Sequence, residues 1–170
     1  MSTMSMKQTP HKIAFVVGSF AGGGTEHYLL RMLTHIDRKR FEPFVVTLSD
    51  TGQLREAIHE LAPVYVTRLD GKLFNLTGLR ELLRLRRWLR TKRIDVMHLL
   101  MDRATIYGAI AATHLFHTHR IPAVASHRAT MLPDTVGWYL LKLYLLSIRH
   151  FVDHLIPNSN AVAQVLNDKG

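Results

Sequence analysis

A glycine-rich stretch near the amino terminus has the residue types of a phosphate-binding loop. From Gly18 to Thr25 the chain reads GSFAGGGT, which matches the P-loop pattern G-x-x-x-x-G-K-[ST] except that Gly24 replaces the lysine. Because that lysine reaches the β- and γ-phosphates in a P-loop, the stretch does not predict one. The dinucleotide pattern G-x-G-x-x-G also fails, and Asp50 lies too far along the chain to bind a ribose.

The three consecutive glycines, Gly22, Gly23 and Gly24, keep the physical properties that both patterns share. Glycine allows positive φ angles and lets a ligand approach the backbone closely. The first amides of a following helix have no intrahelical partner and attract anions. Glu26 would lie in the first turn, where a carboxylate suits the helix dipole without any ligand. The stretch therefore indicates either an anion-binding backbone or a tight turn between a strand and a helix.

Few other polar residues have the spacing of a known site. Asp102 follows an apolar run and is favoured as a helix N-cap, with a substrate hydroxyl as its alternative partner. His98 lies inside that run, which favours a buried, hydrogen-bonded histidine over a catalytic one. Further histidines cluster at positions 114, 117 and 119 and at 150 and 154. H-E-x-x-H is absent and the chain has no cysteine, so we expect no metal site.

Short β-branched runs alternate with longer helical patterns along the chain. Strands are predicted at residues 12–17, 44–48, 64–69, 94–100, 122–126 and 155–157. Helices are predicted at 25–36, 53–61, 77–92, 102–117 and 136–151, and a last helix opens at 158. This alternation predicts an α/β fold: a doubly wound parallel sheet in one Rossmann-like domain at 12–170, after a disordered tail at 1–11. Ligands of such sheets bind beyond the carboxyl ends of the strands, here the loops at 18–25, 49–52, 70–75, 101–103, 127–133 and 158–160.

The composition is that of a folded, basic protein. Of its 170 residues 47% are hydrophobic, and 22 Lys and Arg against 13 Asp and Glu give a net charge of +9. That excess favours anionic partners such as acidic lipid or phosphorylated small molecules, although solubility alone also explains it. Residues 1–11 lack the apolar core of a signal peptide, and no stretch reaches the roughly 18 apolar residues of a membrane span. We therefore expect a cytoplasmic protein.

The most basic segment, LRELLRLRRWLRTKR at 79–93, is predicted to be a surface helix. An apolar stripe is expected to pack it against the domain, formed by Leu79, Leu82, Leu83 and Leu89. On the outer face Arg80, Arg84 and Arg87 line one flank, and Arg86, Arg90 and Arg93 line the other. This face is either solvated or attracted to anionic lipid, with Trp88 near the headgroups. We expect no nucleic acid, because the arginines lack interleaved aromatic residues beyond Trp88.

Four segments, taken in order, resemble the motifs of one enzyme family. GGGTEHYLLRM at 22–32 resembles G-G-x-E, and RIDVMHLLMDRA at 93–104 resembles D-V-[IV]-H-x-H. IPAVASHRA at 121–129 resembles P-x-[VI]-x-[ST]-x-H, and VDHLIPNSNAVAQVLNDKG at 152–170 resembles the segment before an interdomain crossover. Together they resemble the amino-terminal half of family 4 glycosyltransferases, which are retaining GT-B enzymes that use nucleotide sugars. Leu100 departs from the second histidine of H-x-H, and Thr25 from the usual small apolar residue.

The resemblance implies roles for residues at the carboxyl edge of the sheet. The three bare glycines would lie against the sugar and diphosphate of the donor, and His127 would face the cleft as the catalytic residue. Further substrate-binding positions are implied at Thr25, Glu26, Asp102, Arg128, Asn158 and Ser159. Of these, Asn158 and Ser159 are also candidate caps of the last helix.

The resemblance also implies a larger enzyme. A carboxyl-terminal donor-binding domain with an E-x7-E motif would follow residue 170, and without it we expect no turnover. The whole protein would transfer a hexosyl group from a nucleotide-diphosphate sugar to a glycan or lipid-linked acceptor in cell-surface polysaccharide or glycolipid synthesis. It would be peripheral on the inner membrane face and require no metal, and this domain alone would bind no cofactor. The alternative is a non-catalytic Rossmann-like module that binds a phosphorylated ligand.

Overall fold

A computed structural model describes residues 9–69, 75–113, 120–127, 138–157 and 159 of the chain. Their strands are β1 (His11–Val17), β2 (Phe41–Thr47), β3 (Val64–Val66), β4 (Val96–Leu100), β5 (Ala123–His127) and β6 (His154–Pro157). Their helices are α1 (Gly24–His35), α2 (Arg55–Leu61), α3 (Leu76–Lys92), α4 (Asp102–Ala112) and α5 (Trp138–Phe151).

The six strands form one sheet in the order β3-β2-β1-β4-β5-β6. Every neighbouring pair is parallel. The prediction of a doubly wound parallel α/β sheet is therefore confirmed. Chain order reverses between β1 and β4, and it is outside the carboxyl ends of strands at such a reversal that ligands of α/β sheets bind.

Apolar side chains of the strands alternate between two cores, so both faces of the central sheet are buried. Against one face pack α1 and α2, with Phe15 and Leu29 among the fully buried residues. Against the other pack α3 and α4, where Val16 and Leu89 are buried. Burial on both faces explains why β1 reads as a nearly continuous apolar run and why that run predicted a parallel strand.

Strand and helix ends differ from the predictions where side chains compete for backbone groups. The third strand was predicted to reach residue 69, but β3 ends at Val66. Two residues later the N–H of Arg68 donates to the buried carboxylate of Glu81 rather than to a strand. The fourth long helix was predicted to reach residue 117, but α4 ends at Ala112. Thr113 takes an extended conformation there, and its N–H and hydroxyl both donate to the carbonyl of Ile110.

The prediction that Asp102 caps α4 is wrong. Asp102 is the first residue of the helix, and the N-cap position is held by Met101, which makes no side-chain capping hydrogen bond. The carboxylate still lies in the first turn, where it complements the helix dipole. The predicted last helix, from residue 158, lies outside the described residues except for Ser159.

The predicted apolar stripe of α3 is wrong in part. Leu82, Leu85 and Leu89 are buried, whereas Leu79 and Leu83 are each 46% exposed. The buried face of α3 is rotated relative to the predicted one because two charged residues, Glu81 and Arg86, have hydrogen-bond partners on the buried side of the helix. Glu81 accepts from Arg68 and Arg84, and Arg86 donates to the carbonyls of Thr113 and Ile110 at the end of α4.

Trp88 is also not where a membrane-facing residue would be. Its ring lies 5.8 Å from that of Phe44 and 5.1 Å from that of Tyr65, measured between centroids. Trp88 is partly buried against the core of the α3 side of the sheet. The prediction that Trp88 lies near lipid headgroups is therefore not supported, because aromatic packing holds the indole against the domain.

Candidate functional site

The glycine loop between β1 and α1 exposes backbone rather than side chains. Gly22 has φ +96, a conformation that L side chains rarely adopt, so a glycine is required there. Gly23 is the N-cap of α1 and provides no side-chain hydrogen bond to the first amides of the helix. Nothing lies within 4 Å of the position that a Cβ on Gly24 would occupy. A helix start with open space beside its first residue and no side-chain cap is suited to an anionic group of a ligand.

The next residues of α1 are less available than the glycines. Thr25 is buried at 8% exposure, so little of its side chain is accessible to a ligand. Glu26 lies in the first turn, and one of its carboxylate oxygens would be 2.9 Å from a Cβ added to Gly23. Glu26 therefore borders the same backbone that the glycines expose.

A second loop, between β2 and α2, supports the glycine loop. The N–H of Phe20 donates to the carbonyl of Thr51 at 2.8 Å, and the N–H of Leu54 donates to the carbonyl of Phe20 at 3.1 Å. Gly52 has φ +127, and a Cβ there would lie 2.1 Å from the carbonyl carbon of Phe20. The two loops therefore touch backbone to backbone, which fixes the path of the glycine loop.

Asp50 holds this second loop. Its carboxylate accepts hydrogen bonds from the Nε of Arg55 at 2.9 Å and from the Nε2 of His59 at 2.8 Å. Burial by itself raises the pKa of the Asp50 carboxyl, but the hydrogen bonds from His59 and Arg55 and their charges hold that pKa below its usual range. Asp50 has a structural role, and sequence reasoning considered it only as a ribose ligand.

The end of β4 has an unusual backbone. Met101 has φ 71 and ψ 173, a conformation that is costly for a residue with a side chain. Its N–H donates to the carbonyl of Ser126 at 3.3 Å, and its carbonyl accepts from the N–H of Thr105 at 2.8 Å. The strained residue turns the chain from the strand into α4 directly beside β5. Nothing in the sequence indicates it, because methionine is not typical of positive φ.

Asp102 follows and is half-buried. Burial raises the pKa of the Tyr144 hydroxyl of α5, and the charge of Asp102 raises it further. The carboxylate of Asp102 is therefore close enough to α5 to affect that helix electrostatically.

A hydrogen bond joins β4 and β5 just below this edge. The Nε2 of His98 lies 2.7 Å from the hydroxyl oxygen of Ser126. The His98 ring also lies against Phe15 and Tyr28, at centroid distances of 5.5 and 6.3 Å. His98 is a half-buried, hydrogen-bonded histidine, as its apolar strand indicated. Its hydrogen-bond partner Ser126 is the residue directly before His127 in β5.

His127 is the last residue of β5 and pairs with Pro157 of β6. Its side chain, like Arg128 and Asn158 as a whole, lies outside the described residues. Ser159, after β6, is exposed.

The parallel sheet brings most of these positions to one edge. The ends of β1, β4, β5 and β6 are successive in the sheet, so the glycine loop, Asp102, His127 and Ser159 all follow strands at the carboxyl edge. Since neighbouring strands are about 4.8 Å apart, the ends of β1 and β5 are separated by roughly 10 Å. Arg80, Arg84 and Arg87 lie instead on α3, and Arg84 is paired there with Glu81.

In the part of the chain that the structure describes, no three His, Asp or Glu side chains are grouped so that they could hold a metal ion. None of the described helices has the length and apolar character needed to cross a membrane.

The model of the family described as Glycosyltransferase Family 4 matches residues 22–170, from the glycine loop to the end of the chain. The chain belongs to glycosyltransferase family 4. The resemblance of the four sequence segments is thereby confirmed. A search of curated protein sequences found no significant match.

Solved glycosyltransferases share the fold of this family 4 domain. Anabaena Alr3699/HepE, solved with UDP and glucose, superposes with a TM-score of 0.73 at 20% identity over 94% of this chain and 41% of its own. The lipopolysaccharide outer core galactosyltransferase WaaB gives a TM-score of 0.66 at 13% identity over 94% of this chain and 42% of its own. Acinetobacter baumannii MurG gives 0.61 at 13% identity over 91% and 43%. The chain has the fold of a GT-B amino-terminal domain and spans less than half the length of these proteins.

Proposed function

We propose that this chain is the amino-terminal, acceptor-side domain of a glycosyltransferase that uses a nucleotide-diphosphate sugar. The observation that carries the proposal is the glycine turn at the uncapped start of α1, on the same edge of the sheet as the end of β5. The structure of HepE with UDP and glucose supports the choice of donor class. The whole protein would transfer a hexosyl group to a saccharide or lipid-linked acceptor in cell-surface polysaccharide or glycolipid synthesis. The second domain that binds most of the donor is part of the proposal.

The glycine loop would contribute electrostatic stabilisation. The first amides of α1 have no side-chain cap, and they would bind the diphosphate, which gains charge as the glycosidic bond to the sugar breaks. Backbone donors that are already fixed need no reorganisation during the reaction. The loop is held by backbone hydrogen bonds of Phe20 to the loop that follows β2, which keeps those donors in place.

The side chains of the edge would position the sugar and acceptor. His127 would donate a hydrogen bond to a sugar hydroxyl or stabilise a developing oxyanion. Arg128 would bind a phosphate or an acidic acceptor through its planar fork. Asp102 and Glu26 are candidates to accept hydrogen bonds from acceptor hydroxyls. These roles remain proposals for residues that the family resemblance identified.

A side chain placed in the open space before α1 tests the proposal. Leu introduced at Gly24 would project where nothing lies within 4 Å, so the fold is expected to persist while the cleft is blocked. We expect Gly24→Leu to reduce sugar transfer by at least about 100-fold in the protein that carries the donor domain, since misplacing a substrate by 1 Å already costs about that factor. Thr34→Leu, exposed near the other end of α1, is the matched control and should retain activity. Full transfer by Gly24→Leu would reject the site.

The alternative function would appear differently in the same experiment. A non-catalytic module would bind a phosphorylated ligand and lose that binding in Gly24→Leu, yet no sugar transfer would be found with any donor. Extending the reading frame past residue 170 separates the two further, because the enzyme requires a second domain with E-x7-E.

We also infer that the outer face of α3 contacts an anionic membrane at the cytoplasmic side. Three leucines are exposed along it: Leu76 at 76% and Leu79 and Leu83 at 46% each. They alternate along the helix with Arg80, Arg84 and Arg87. Apolar side chains flanked by cations are typical of helices that lie in a membrane interface. In this proposal the exposed leucines, and not Trp88, are the apolar residues that enter the membrane interface.

A further inference from the structure

A cavity of about 520 Å³ opens at the amino-terminal edge of the sheet, the edge opposite the candidate active site. It lies between the last turns of α3 and α4 and the residues just before β4 and β5. Among the described residues, four arginines line it, Arg86, Arg90, Arg93 and Arg120, against one carboxylate, Asp95. A concave site of this volume is within the usual size of small-molecule sites.

The carboxylates near the cavity are engaged elsewhere. Asp95 accepts the backbone N–H of Lys12 at 2.7 Å and lies 4.0 Å from the Nδ1 of His11. Asp153 neutralises Arg120 through an ion pair of 2.7 Å. Among the described residues no ion pair joins Arg90 or Arg93 to a carboxylate. Two arginines that line the cavity, Arg90 and Arg93, are therefore not neutralised by a carboxylate of the described part of the chain.

The third arginine of α3 adds to the positive potential. Arg86 is only 5% exposed, and it donates hydrogen bonds to the carbonyls of Ile110 and Thr113 at the end of α4. Burial lowers the pKa of Arg86, and the charge of Arg90 one turn away lowers it further. An anion in the cavity would offset this repulsion between neighbouring cations.

One of these arginines, Arg93, has an unfavourable backbone conformation. Arg93 has φ 56 and ψ 53, the left-handed conformation at a helix end that glycine or asparagine usually adopts. Arg93 lines the cavity from this position at the end of α3.

We propose that this cavity is a binding site for a small phosphorylated compound, with Arg90 and Arg93 as the groups that hold its phosphate. A guanidinium group binds two phosphate oxygens at once through its planar fork of N–H donors. A cluster of arginines in a concave site therefore favours a phosphate group as the ligand. The site is separate from the proposed sugar-transfer edge and does not depend on that proposed function. A phosphate of this kind could come from a soluble metabolite or from a lipid headgroup.

Isothermal titration of the 170-residue chain with pyrophosphate, at about 0.15 M ionic strength, tests the site. The cavity variant is Arg90→Gln with Arg93→Asn, because asparagine tolerates the left-handed backbone. The matched control is Arg80→Gln with Arg87→Gln, which removes the same charge from the exposed face of the same helix. We expect the cavity variant to weaken pyrophosphate binding about tenfold or more and the control to change it by less than about twofold.

A second arm, sedimentation with vesicles containing phosphatidic acid, identifies the source of the phosphate. If the ligand is a soluble compound, pyrophosphate binding depends on the cavity arginines while vesicle binding does not. If vesicle binding instead falls in the cavity variant, and pyrophosphate does not bind, the site takes a lipid headgroup. Melting temperatures close to that of the unmodified chain ensure that both variants are folded. Equal losses of pyrophosphate binding in both variants, or no loss of either kind of binding in the cavity variant, would overturn the proposal.

Discussion

The contact between Gly52 and Phe20 gives the sharpest prediction about the glycine loop. Replacing Gly52 by alanine adds a methyl group where φ is +127 and where the carbonyl carbon of Phe20 is only 2.1 Å away. That neighbour is backbone, so it cannot move aside as the end of a side chain would. The change must therefore shift either the loop that precedes α1 or the loop that follows β2.

The expected loss follows from two contributions. An alanine held at such a φ costs about 1–3 kcal/mol, and overpacking adds about 1–3 kcal/mol. Allowing for relaxation, we expect Gly52→Ala to reduce the free energy of unfolding by about 3 kcal/mol, a large part of the roughly 5–15 kcal/mol of a typical domain. For a chain of this size that corresponds to a fall in melting temperature of about 6–12 °C.

Urea denaturation and thermal melting followed by circular dichroism measure this loss. Gly24→Ala is the matched control, since a Cβ there meets nothing within 4 Å and the residue begins a helix, where alanine is favoured over glycine. We expect Gly24→Ala to melt at or slightly above the unmodified chain. If Gly52→Ala were as stable as Gly24→Ala, the backbone contact that fixes the glycine loop would not exist, and the reasoning would be refuted.

Three further predictions concern the residues around the two functional surfaces. Because the pKa of Asp50 is lower in the folded chain than its ordinary 3.8, its stabilisation is present above that pH and is lost as the pH falls through the folded value. Asp50→Asn should therefore lower the free energy of unfolding by about 1 kcal/mol at pH 7. The difference in this free energy between the variant and the unmodified chain, measured by urea denaturation, should shrink below pH 3.8. A difference that does not change with pH would contradict the ion pairs of Asp50. Trp88→Ala should destabilise the chain by about 3 kcal/mol and leave binding to anionic vesicles unchanged. The double variant Leu79→Ser with Leu83→Ser should weaken vesicle binding with little loss of stability. If sedimentation and melting showed the reverse pattern, Trp88 and not the leucines would contact the membrane. Met101→Val should lower the melting temperature more than Met101→Gly, since a β-branched residue tolerates φ 71 worst; equal melting would show that the strain is absent.

The architecture could be predicted from the sequence because it depends on patterns that are spread over many residues. Apolar runs such as that of β1 predicted buried parallel strands, and their alternation with helices predicted the sheet. Helix orientation could not be predicted in the same way. The buried face of α3 is decided by Glu81, which accepts the N–H of Arg68 from the segment after β3, and by Arg86, which reaches the end of α4. In both cases the hydrogen-bond partner belongs to another segment of the chain, so the sequence of α3 alone does not reveal it.

The candidate site was predictable only where residue type constrains the backbone. The triple glycine indicated a turn with positive φ, and Gly22 has it. The support from Gly52 and Asp50 was not predicted, because it depends on two loops that touch only after the sheet forms. Met101 gave no signal at all, since its strain comes from where β4 ends and α4 begins.

Sugar transfer by the protein that joins this chain to its donor domain tests the central claim most directly. Release of nucleoside diphosphate from a panel of nucleotide sugars, beginning with UDP-glucose, should be measured for the unmodified protein, for His127→Ala and for His150→Ala. His150 lies exposed on α5 and provides the matched control. The account predicts that His127→Ala lowers the rate by about 100-fold or more while His150→Ala changes it little. Unchanged release in His127→Ala would contradict the claim that the carboxyl edge of the sheet carries the chemistry.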